Sequence, residues 1–489
     1  MYDVQARSAG VNRKSAPVLV DERLLPRRFL VASNRLPYSL SRDGDEIRLK
    51  RGVGGLVTAL DPILRLTGGT WIGWSGTYED VPEKIPVSAD EGHASDYYLK
   101  PVNLSREDIE RYYLGYSNKC LWPLFHYFQE NCQFHADLWE AYKSVNRRFT
   151  DAILKEYREG DLIWIHDYHL MLVPAWVRRE LPRAKIGFFL HIPFPSAEIY
   201  LVGPHAAKLL TGVLGSDLIG FQLDTNVYNF MDTVSALTNH RYSRGRLTIN
   251  VDNRLVRARS FPISIDFDRF ADVVEWPTTR ERARQIRASY RAEILALGVD
   301  RLDYTKGIPE RLRAIELMLD RHPELQGRFT FIQLSAPSRT KVEAYRTMRE
   351  EVERLVGHIN GRFGGKGCIP IDYRYEVHTQ EELVAYYSAA DVVLVTPLRD
   401  GMNLVAKEYL ASRPENDGML VLSRFAGAAH ELSDAILANP YDPEYTAEQI
   451  HRAITMPREE RQRRMRAMRD LVRRNDIYWW LERFLRELL

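Results

Sequence analysis

The feature that most constrains this chain is a repeated alternation of short apolar runs with longer amphipathic segments. Such runs are typical of buried strands, and helix-length segments between them indicate βαβ units in a parallel sheet. Two successive series of similar size predict an α/β protein with two Rossmann-like, doubly wound domains facing a cleft. The first series comprises 29–33, 71–75, 161–166, 185–191, 217–222 and 258–265, and the second comprises 294–299, 329–334, 369–375, 391–395, 419–422 and 435–438.

The length and the change of pattern predict the domain boundaries. A chain of 489 residues is too long for one compact core. A polar, charged and helix-prone segment follows the first series, so the boundary falls near residue 265. The sequence therefore predicts a flexible leader at 1–27, a first domain at 28–265, a second domain at 266–458 and a helical segment at 459–489.

Charge and cysteine content argue against several classes of protein. Lys and Arg number 68 against 66 Asp and Glu, so the formal net charge of +2 provides no general attraction to nucleic acid or to an anionic membrane. No apolar run approaches the roughly 20 residues of a membrane span, and the N-terminus lacks a signal-peptide core. Three cysteines without metal-type spacing indicate a reduced, cytoplasmic protein.

The stretch Val395–Tyr409 joins an apolar strand directly to a helix. In a parallel sheet that junction lies at the carboxyl end of the strand, where ligands bind, and the start of the helix suits a phosphate. Asp400 lies in the turn, and Glu408 projects from the same helix face as Leu404. The two carboxylates could hold the hydroxyls of a nucleotide sugar. The alternative is an ordinary strand–helix connection with Asp400 as its N-cap.

Two cations follow the first strand of the second series. Arg301 and Lys306 lie five residues apart, and Gly307 directly precedes a predicted helix. Two fixed cations beside a helix start suit a leaving diphosphate, because the charge that develops on it must be stabilised in place. The alternative is a surface loop with solvated charges.

The first series also carries polar groups at strand ends. The glycine-rich stretch Gly52–Leu56 allows the backbone to approach a ligand closely. Asp167 and His191 each follow an apolar run, and we interpret them as groups that orient sugar hydroxyls or share charge at the reacting carbon. Arg35, and Arg339 in the second series, are further cations at strand ends.

A metal site is not predicted. His166 and His169 lie three residues apart, but no further ligand accompanies them. The combined pattern, a diphosphate-binding pair of cations with carboxylates and basic groups, indicates a nucleotide-sugar-dependent glycosyltransferase with an anionic acceptor.

Several motifs resemble those of the trehalose-6-phosphate synthases, in order from about Phe29 to the C-terminus. They are Ser33-Asn34-Arg35, Gly54-Gly55-Leu56, Trp71-Ile72-Gly73-Trp74-Ser75-Gly76, Trp122-Pro123-Leu124-Phe125-His126-Tyr127, His166-Asp167-Tyr168-His169, Phe188 to Pro195, Arg301 to Gly307 and the stretch around Asp400. The resemblance implies the GT-B architecture, with a C-terminal helix (here within 459–489) that crosses back to the first domain. It also implies transfer of glucose, with retention, from a nucleoside diphosphate glucose, UDP-glucose foremost, to glucose 6-phosphate. The products would be α,α-trehalose 6-phosphate and the nucleoside diphosphate.

The resemblance also implies a role for individual residues. Donor-binding residues would be Gly54, Gly55, His191, Arg301, Lys306, Asp400, Gly401, Met402, Asn403, Leu404, Val405 and Glu408. Acceptor-binding residues would be Arg35, Trp74, Tyr113, Trp122, Asp167 and Arg339. The catalytic group would consist of Asp167, His191, Arg301, Lys306 and Asp400, with no metal and no other cofactor.

Two alternatives stay open at the level of sequence. One is a sibling transferase with another acceptor, either a glucosylglycerol-phosphate synthase or a cyclitol-joining pseudo-glycosyltransferase. The other is a catalytically silent regulatory homologue. Under the main interpretation, a separate trehalose-phosphate phosphatase acts downstream, and assembly into a homo-oligomer stays open.

Overall fold

The computed structural model describes residues 28–43, 46–51, 55–79, 81–87, 97–338, 343–365 and 367–489. The predicted leader 1–27, Gly54 and Arg339 lie outside the described residues. The chain divides into two compact units. The first extends to Pro262 and includes Tyr478–Leu489, and the second is Ile263–Ile477.

Strands and helices alternate along both units. The strands are β1 (Phe29–Arg35), β2 (Tyr38–Asp43), β3 (Glu46–Arg51), β4 (Gly69–Trp74), β5 (Ile85–Val87), β6 (Tyr97–Pro101), β7 (Leu162–His166), β8 (Lys185–Phe189), β9 (Leu218–Phe221), β10 (Arg241–Ser243), β11 (Thr248–Val251), β12 (Arg254–Ser260), β13 (Ile294–Arg301), β14 (Phe329–Ala336), β15 (Ile371–Arg374), β16 (Val392–Val395), β17 (Met419–Ser423) and β18 (Ile436–Ala438). The α-helices are α1 (Gly55–Thr67), α2 (Arg106–Asp108), α3 (Trp122–Phe125), α4 (Ala136–Glu156), α5 (Val173–Glu180), α6 (Ala197–Tyr200), α7 (Ala206–Val213), α8 (Asp224–Leu237), α9 (Phe267–Glu275), α10 (Pro277–Ser289), α11 (Ile308–Arg321), α12 (Glu343–Phe363), α13 (Gln380–Ala389), α14 (Leu404–Ala411), α15 (Pro443–Thr455), α16 (Arg458–Arg474) and α17 (Ile477–Leu488). A π-helix, Ile109–Leu121, joins α2 to α3, and 3₁₀ turns occupy Gln129–Asn131, Tyr168–Leu170, Tyr304–Lys306, Pro323–Leu325 and Gly427–His430.

The sheet of the first unit is parallel in its centre. Its strand order is β10-β11-β12-β9-β8-β7-β1-β4-β6-β5, and antiparallel pairs occur only at its two ends among the described strands. The chain moves outward from β1 through β4 to β6, then returns to place β7 on the other side of β1. That reversal creates a topological switch point between β1 and β7, and ligands of open α/β sheets bind outside the carboxyl ends of the strands at such a point.

The sheet of the second unit is parallel throughout its described strands. Its order, β15-β14-β13-β16-β17-β18, is that of the Rossmann fold, with the switch point between β13 and β16. β16 is buried along its whole length, which is why it reads as an uninterrupted apolar run in the sequence.

The C-terminal segment divides between the two units. The sequence predicts that the helical segment 459–489 packs back on the first domain. In the structure, α16 belongs to the second unit and α17 packs on the sheet of the first. The ring of Phe484 lies 4.3 Å from that of Trp164 on β7. A Cβ atom on Gly187 or Gly220 would lie 2.9 Å from this ring, so two glycines of β8 and β9 make room for it. The arginine-rich α16 instead buries Met465, Met468 and Val472 within the second unit.

The strand predicted at 258–265 is shifted in the structure. β12 spans Arg254–Ser260, because it also pairs with β11, and it ends just before Pro262, which has no N–H to continue the ladder. The hairpin β2–β3 and the strands β5, β6, β10 and β11 were not predicted.

The three cysteines, Cys120, Cys132 and Cys368, are free thiols. Within the described residues, no helix is both long enough and apolar enough to cross a membrane.

Candidate functional site

The turn after β13 lies at the switch point of the second sheet. Arg301 ends the strand with an exposed side chain, and Lys306 ends the 3₁₀ turn just before Gly307 and α11. Gly307 has a φ of 64°, and a Cβ atom there would lie 2.5 Å from the Thr396 carbonyl oxygen. Glycine is therefore required where this turn meets the loop after β16. α11 begins directly after Lys306 and Gly307, and the positive end of its dipole favours an anion at this place.

Buried polar groups hold this turn in shape. The Asp303 carboxylate accepts hydrogen bonds from the Thr305 amide at 3.0 Å and from the Tyr345 hydroxyl at 3.0 Å. The Thr305 carbonyl in turn accepts a hydrogen bond from the Leu398 amide at 2.8 Å. The turn that carries Lys306 and the loop that carries Asp400 are thereby connected through their backbones.

Arg311 is a fully buried arginine directly behind the two loops. Its guanidinium donates to Asp300 Oδ2 at 2.6 Å, to Thr396 Oγ1 at 2.8 Å and to the Lys306 carbonyl at 3.3 Å. One side chain thus connects the end of β13, the turn with Lys306 and the end of β16. Sequence reasoning missed Arg311, because on α11 it reads as an ordinary polar helix residue.

Lys306 and Asp400, predicted separately, form an ion pair. Lys306 Nζ lies 2.5 Å from Asp400 Oδ2, and both side chains are largely buried. Asn403 Nδ2 also donates to Asp400 Oδ2 at 3.1 Å. The alternative that made Asp400 a simple N-cap is wrong, because α14 begins at Leu404 and Asn403, with a φ of 71°, occupies the N-cap position. The Asp400 carboxylate instead organises the whole turn.

The turn from Asp400 to Met402 packs closely on the loop after β17. The Gly427 amide donates to the Asp400 carbonyl at 3.2 Å, and the Ala428 amide donates to the Met402 carbonyl at 2.9 Å. A Cβ atom on Gly427 would lie only 2.0 Å from the Gly401 carbonyl oxygen. Gly401 and Met402 are therefore buried, and their backbone holds the turn against the loop after β17.

Glu408 lies one turn into α14 and is held by a tyrosine. Leu404, Val405 and Glu408 are partly exposed. The Tyr387 hydroxyl on α13 donates to Glu408 Oε2 at 2.9 Å. Burial raises the pKa of Glu408 above its usual value, and the hydrogen bond from Tyr387 acts in the opposite direction. No local motif marks Tyr387, because it lies on another helix.

In the first unit, Arg35 lies at the switch point between β1 and β7. Its guanidinium lies 4.8 Å from the centre of the Trp74 ring and 5.7 Å from that of Tyr113. The two rings face an exposed cation that a phosphate could bind. The Tyr112 hydroxyl donates to Asn34 Oδ1 at 2.9 Å, which fixes the π-helix carrying Tyr113 to the end of β1.

Trp122 continues the same helical segment. It is buried at the start of α3, and its ring lies 4.1 Å from that of His126 and 5.9 Å from that of Tyr168. Of the predicted glycine residues, Gly55 is the first residue of α1.

Asp167 has an unusual backbone conformation. Its φ is 76°, which is rare for a residue with a side chain and is often found at functional sites. The conformation is held on both sides, because the Asp167 amide donates to the Phe189 carbonyl at 2.7 Å and Asp167 Oδ1 accepts from the His191 amide at 3.2 Å. The carboxylate is thereby placed at the carboxyl edge of β7 and β8.

His191 pairs with a second histidine. His166 Nδ1 lies 3.1 Å from His191 Nε2. Burial lowers the pKa of His191 to about 3, and burial together with the neighbouring His191 lowers the pKa of His166 well below its usual value. Both rings are therefore neutral near pH 7.

One other cluster in the described residues has metal-ligand chemistry, but its rings are badly oriented. His322, Glu324 and His451 bring their ligand atoms within 4.8 Å of one another. The two imidazole rings stack at 3.6 Å with an interplanar angle of 4°. An ion bound along a nitrogen lone pair lies in the plane of its ring, and two parallel planes at that separation do not share such a point.

Comparisons with known proteins identify relatives over nearly the whole chain. The profile of Glycosyltransferase family 20 matches residues 27–489. A trehalose-6-phosphate synthase from Mycolicibacterium smegmatis is 44% identical over 466 residues, which cover 94% of this chain and 91% of that protein. One from Mycobacterium avium is 43% identical over 468 residues, or 94% of each chain.

Solved structures agree with this chain in fold. A UDP-forming α,α-trehalose-phosphate synthase from Burkholderia xenovorans, in complex with glucose-6-phosphate, has a TM-score of 0.85 and 36% identity, covering 94% of this chain and 99% of that chain. A structure from E. coli bound with UDP-2-fluoro glucose has a TM-score of 0.86 and 36% identity, covering 94% and 98%. The predicted resemblance to trehalose-6-phosphate synthases is confirmed, as are the α/β class and the GT-B type with two Rossmann-like sheets. The chain belongs to glycosyltransferase family 20.

Proposed function

We propose that this chain is a retaining glucosyltransferase that moves glucose from UDP-glucose to glucose 6-phosphate, releasing α,α-trehalose 6-phosphate and UDP. The observation that carries the proposal is the buried Lys306–Asp400 pair beside the N-terminus of α11. It brings a diphosphate-binding cation and a sugar-binding carboxylate together at the switch point of a Rossmann sheet. The relatives support the substrates, since one solved structure holds glucose-6-phosphate and another a fluorinated UDP-glucose.

In the proposed reaction the second unit binds the donor. Arg301 and Lys306 stabilise the charge that develops on the leaving diphosphate, together with the helix dipole of α11. Lys306 then turns from Asp400 to the diphosphate, and the released Asp400 carboxylate accepts hydrogen bonds from glucose hydroxyls. Glu408 binds the ribose diol, and Gly54, Gly55 and the turn from Gly401 to Val405 complete the donor site.

The first unit is proposed to bind the acceptor. Arg35, framed by Trp74 and Tyr113, holds its phosphate together with Arg339, and Asp167 orients its hydroxyls beside Trp122. The bond from the donor anomeric carbon to the phosphate oxygen breaks, and the anomeric hydroxyl oxygen of the acceptor forms the new bond on the same face. Its proton passes to the leaving phosphate oxygen, so the protein mainly orients the reactants and stabilises charge.

UDP release measured with a panel of acceptors tests the proposal. UDP-glucose should release UDP rapidly with glucose 6-phosphate and only at a background rate with glycerol 3-phosphate or a cyclitol phosphate. Treatment with EDTA should leave the rate unchanged, because no metal is proposed to participate. Rapid release with another acceptor and none with glucose 6-phosphate would refute the proposed acceptor.

Two further proposals concern the cellular setting. The product keeps its phosphate, so free trehalose requires a separate phosphatase. The three free thiols favour the reducing cytoplasm.

Replacement of Arg35 by alanine should raise the KM for glucose 6-phosphate by at least about tenfold, because a phosphate loses a charge-assisted contact. The dissociation constant of UDP should stay unchanged. Initial-rate kinetics and calorimetry measure the two quantities, and Arg179→Ala on α5 is a matched control in the same unit. An equal loss of acceptor and donor binding would contradict the acceptor role.

The affinity for UDP should fall at acidic pH as Glu408 becomes protonated. Because the pKa of Glu408 is raised, this fall begins at a higher pH than for an ordinary glutamate, and below that pKa the carboxyl group no longer accepts two ribose hydrogen bonds. In Tyr387→Phe the ionised form loses a hydrogen bond, so the fall should begin at a still higher pH. Calorimetric titrations at several pH values measure this, with Tyr375→Phe as the control. The titration of UDP itself is common to all variants and is subtracted. If the affinity of Tyr387→Phe for UDP then depends on pH in the same way as that of the control, the role of Tyr387 is refuted.

A further inference from the structure

His166 is the last residue of β7 and has no role in the reaction as described so far. It is completely buried, and its ring stacks on that of His191 with centroids 5.4 Å apart and an interplanar angle of 28°. Its Nδ1 atom lies 3.1 Å from His191 Nε2. His191, in contrast, lies in the loop after β8 and is partly exposed.

The direction of this hydrogen bond follows from the surroundings of His166. Two neutral imidazoles share one bond, so one nitrogen must donate and the other must accept. His166 Nε2 is buried and makes no hydrogen bond to any described residue, and the nearby ring of Trp164 has its centroid 4.8 Å from that of His166. A proton on Nε2 would create a buried N–H without an acceptor, which is among the rarer and more costly arrangements in proteins. The proton therefore lies on Nδ1 of His166, which donates to His191.

The tautomer of His191 follows from that assignment. Its Nε2 accepts the bond from His166, so the proton of the neutral ring lies on Nδ1. Among the described residues, none bonds to that Nδ1 atom, and the ring is partly exposed. His191 consequently presents an N–H donor, rather than a lone pair, to a ligand at the carboxyl edge of the sheet.

We propose that His166 is a positioning residue that fixes the tautomer of His191, so that His191 donates a hydrogen bond to an oxygen of the donor sugar beside the reacting carbon. This inference rests on the proposed function, in which His191 lies beside the anomeric region of the donor. A fixed donor costs no reorientation during the reaction, and a neutral ring keeps its proton while charge moves to the diphosphate. His166 itself touches neither substrate.

Three substitutions of His166 separate positioning from simple packing. His166→Asn keeps an N–H close to the position of Nδ1, His166→Gln moves the amide toward the position of Nε2, and His166→Phe keeps a ring without either nitrogen. We expect kcat to fall about tenfold or more in the Phe and Gln variants, with the KM for glucose 6-phosphate unchanged. His166→Asn should recover most of the loss. Equal activity of the Asn and Gln variants, or wild-type turnover of His166→Phe, would overturn the inference.

Nitrogen NMR of the wild-type protein tests the tautomer without any change at His166. With ¹⁵N-labelled histidine, the signals of His191 are identified by their loss in His191→Ala. The expected spectrum shows a protonated Nδ1 and an unprotonated Nε2, and a protonated Nε2 would overturn the inference even if the His166 variants fail to fold.

The turnover of His191→Ala distinguishes failure of the inference about His166 from failure of the proposed role of His191. A strong loss in His191→Ala together with wild-type turnover in His166→Phe overturns the positioning role alone and leaves the proposed function intact. Wild-type turnover in His191→Ala would show that His191 does not contribute to the proposed donor site, and it would overturn the inference about His166 as well.

Discussion

Replacement of Lys306 by alanine is expected to lower kcat/KM for glucosyl transfer about a hundred- to a thousandfold, the typical cost of losing one preorganised group that stabilises a transition state. Lys306 lies at the N-terminus of α11 with its ammonium group 2.5 Å from Asp400. Without it, the leaving diphosphate of the proposed reaction loses a fixed cation, and the negative charge of the largely buried Asp400 carboxylate is no longer balanced by Lys306. Both effects oppose departure of the leaving group. Arg301→Ala should show a loss of similar kind.

Two comparisons identify the cause of such a loss. Arg466→Ala, at an exposed position of α16 in the same unit, should turn over at the wild-type rate. Asp400→Asn should lose transfer activity but bind UDP at least as tightly as the wild type, because Lys306 is then no longer paired with a carboxylate. Initial rates and calorimetry with UDP give both quantities. Near-normal turnover in both Lys306→Ala and Arg301→Ala would show that this turn does not stabilise the leaving diphosphate.

Replacement of Arg311 by leucine is expected to lower the free energy of unfolding of the second unit by about 3–5 kcal/mol. The Arg311 side chain is fully inaccessible, and its Asp300 partner is nearly so. Leucine would leave the Asp300 carboxylate buried without its cation, and it would also leave Thr396 and the Lys306 carbonyl without a donor. Thermal and denaturant unfolding of the variant measure the loss.

A double-mutant cycle separates the contribution of the ion pair to stability from the contribution of side-chain packing. If the buried charge dominates, Asp300→Leu combined with Arg311→Leu should be more stable than Arg311→Leu alone, because no unpaired carboxylate remains. Simple addition of the two single losses would contradict that explanation. The single variant should also lose UDP affinity, since Arg311 supports both loops of the proposed donor site.

The central strands of both sheets were predictable because they are buried on both faces and read as apolar runs. The strands β5, β10 and β11, which lie at or next to the two ends of the first sheet, were missed because they are not buried on both faces. Segments such as Arg241–Ser243 are short and largely exposed, so no apolar run marks them. β12 begins earlier than predicted because it pairs with the antiparallel strand β11, and the pattern of a single strand does not reveal its pairing partner.

The candidate site was predictable to the extent that its residues stand directly after apolar runs. Arg35, Asp167 and Arg301 all lie at carboxyl ends of strands beside the two switch points. Their supports were not predictable, because they come from distant parts of the chain. Tyr387 lies 21 residues from Glu408, and His166 lies 25 residues from His191, so only tertiary packing brings each pair together.

The central claim is that the chain joins glucose to glucose 6-phosphate with retention, and analysis of the isolated product tests it most directly. Purified protein is incubated with UDP-glucose and glucose 6-phosphate, and the product is examined by mass spectrometry and proton NMR. We expect a disaccharide monophosphate with two α-anomeric protons, the signature of an α,α-1,1 linkage, and with phosphorus coupled to the protons on one carbon 6. A β-linked product, or release of UDP and free glucose without a disaccharide, would contradict the claim.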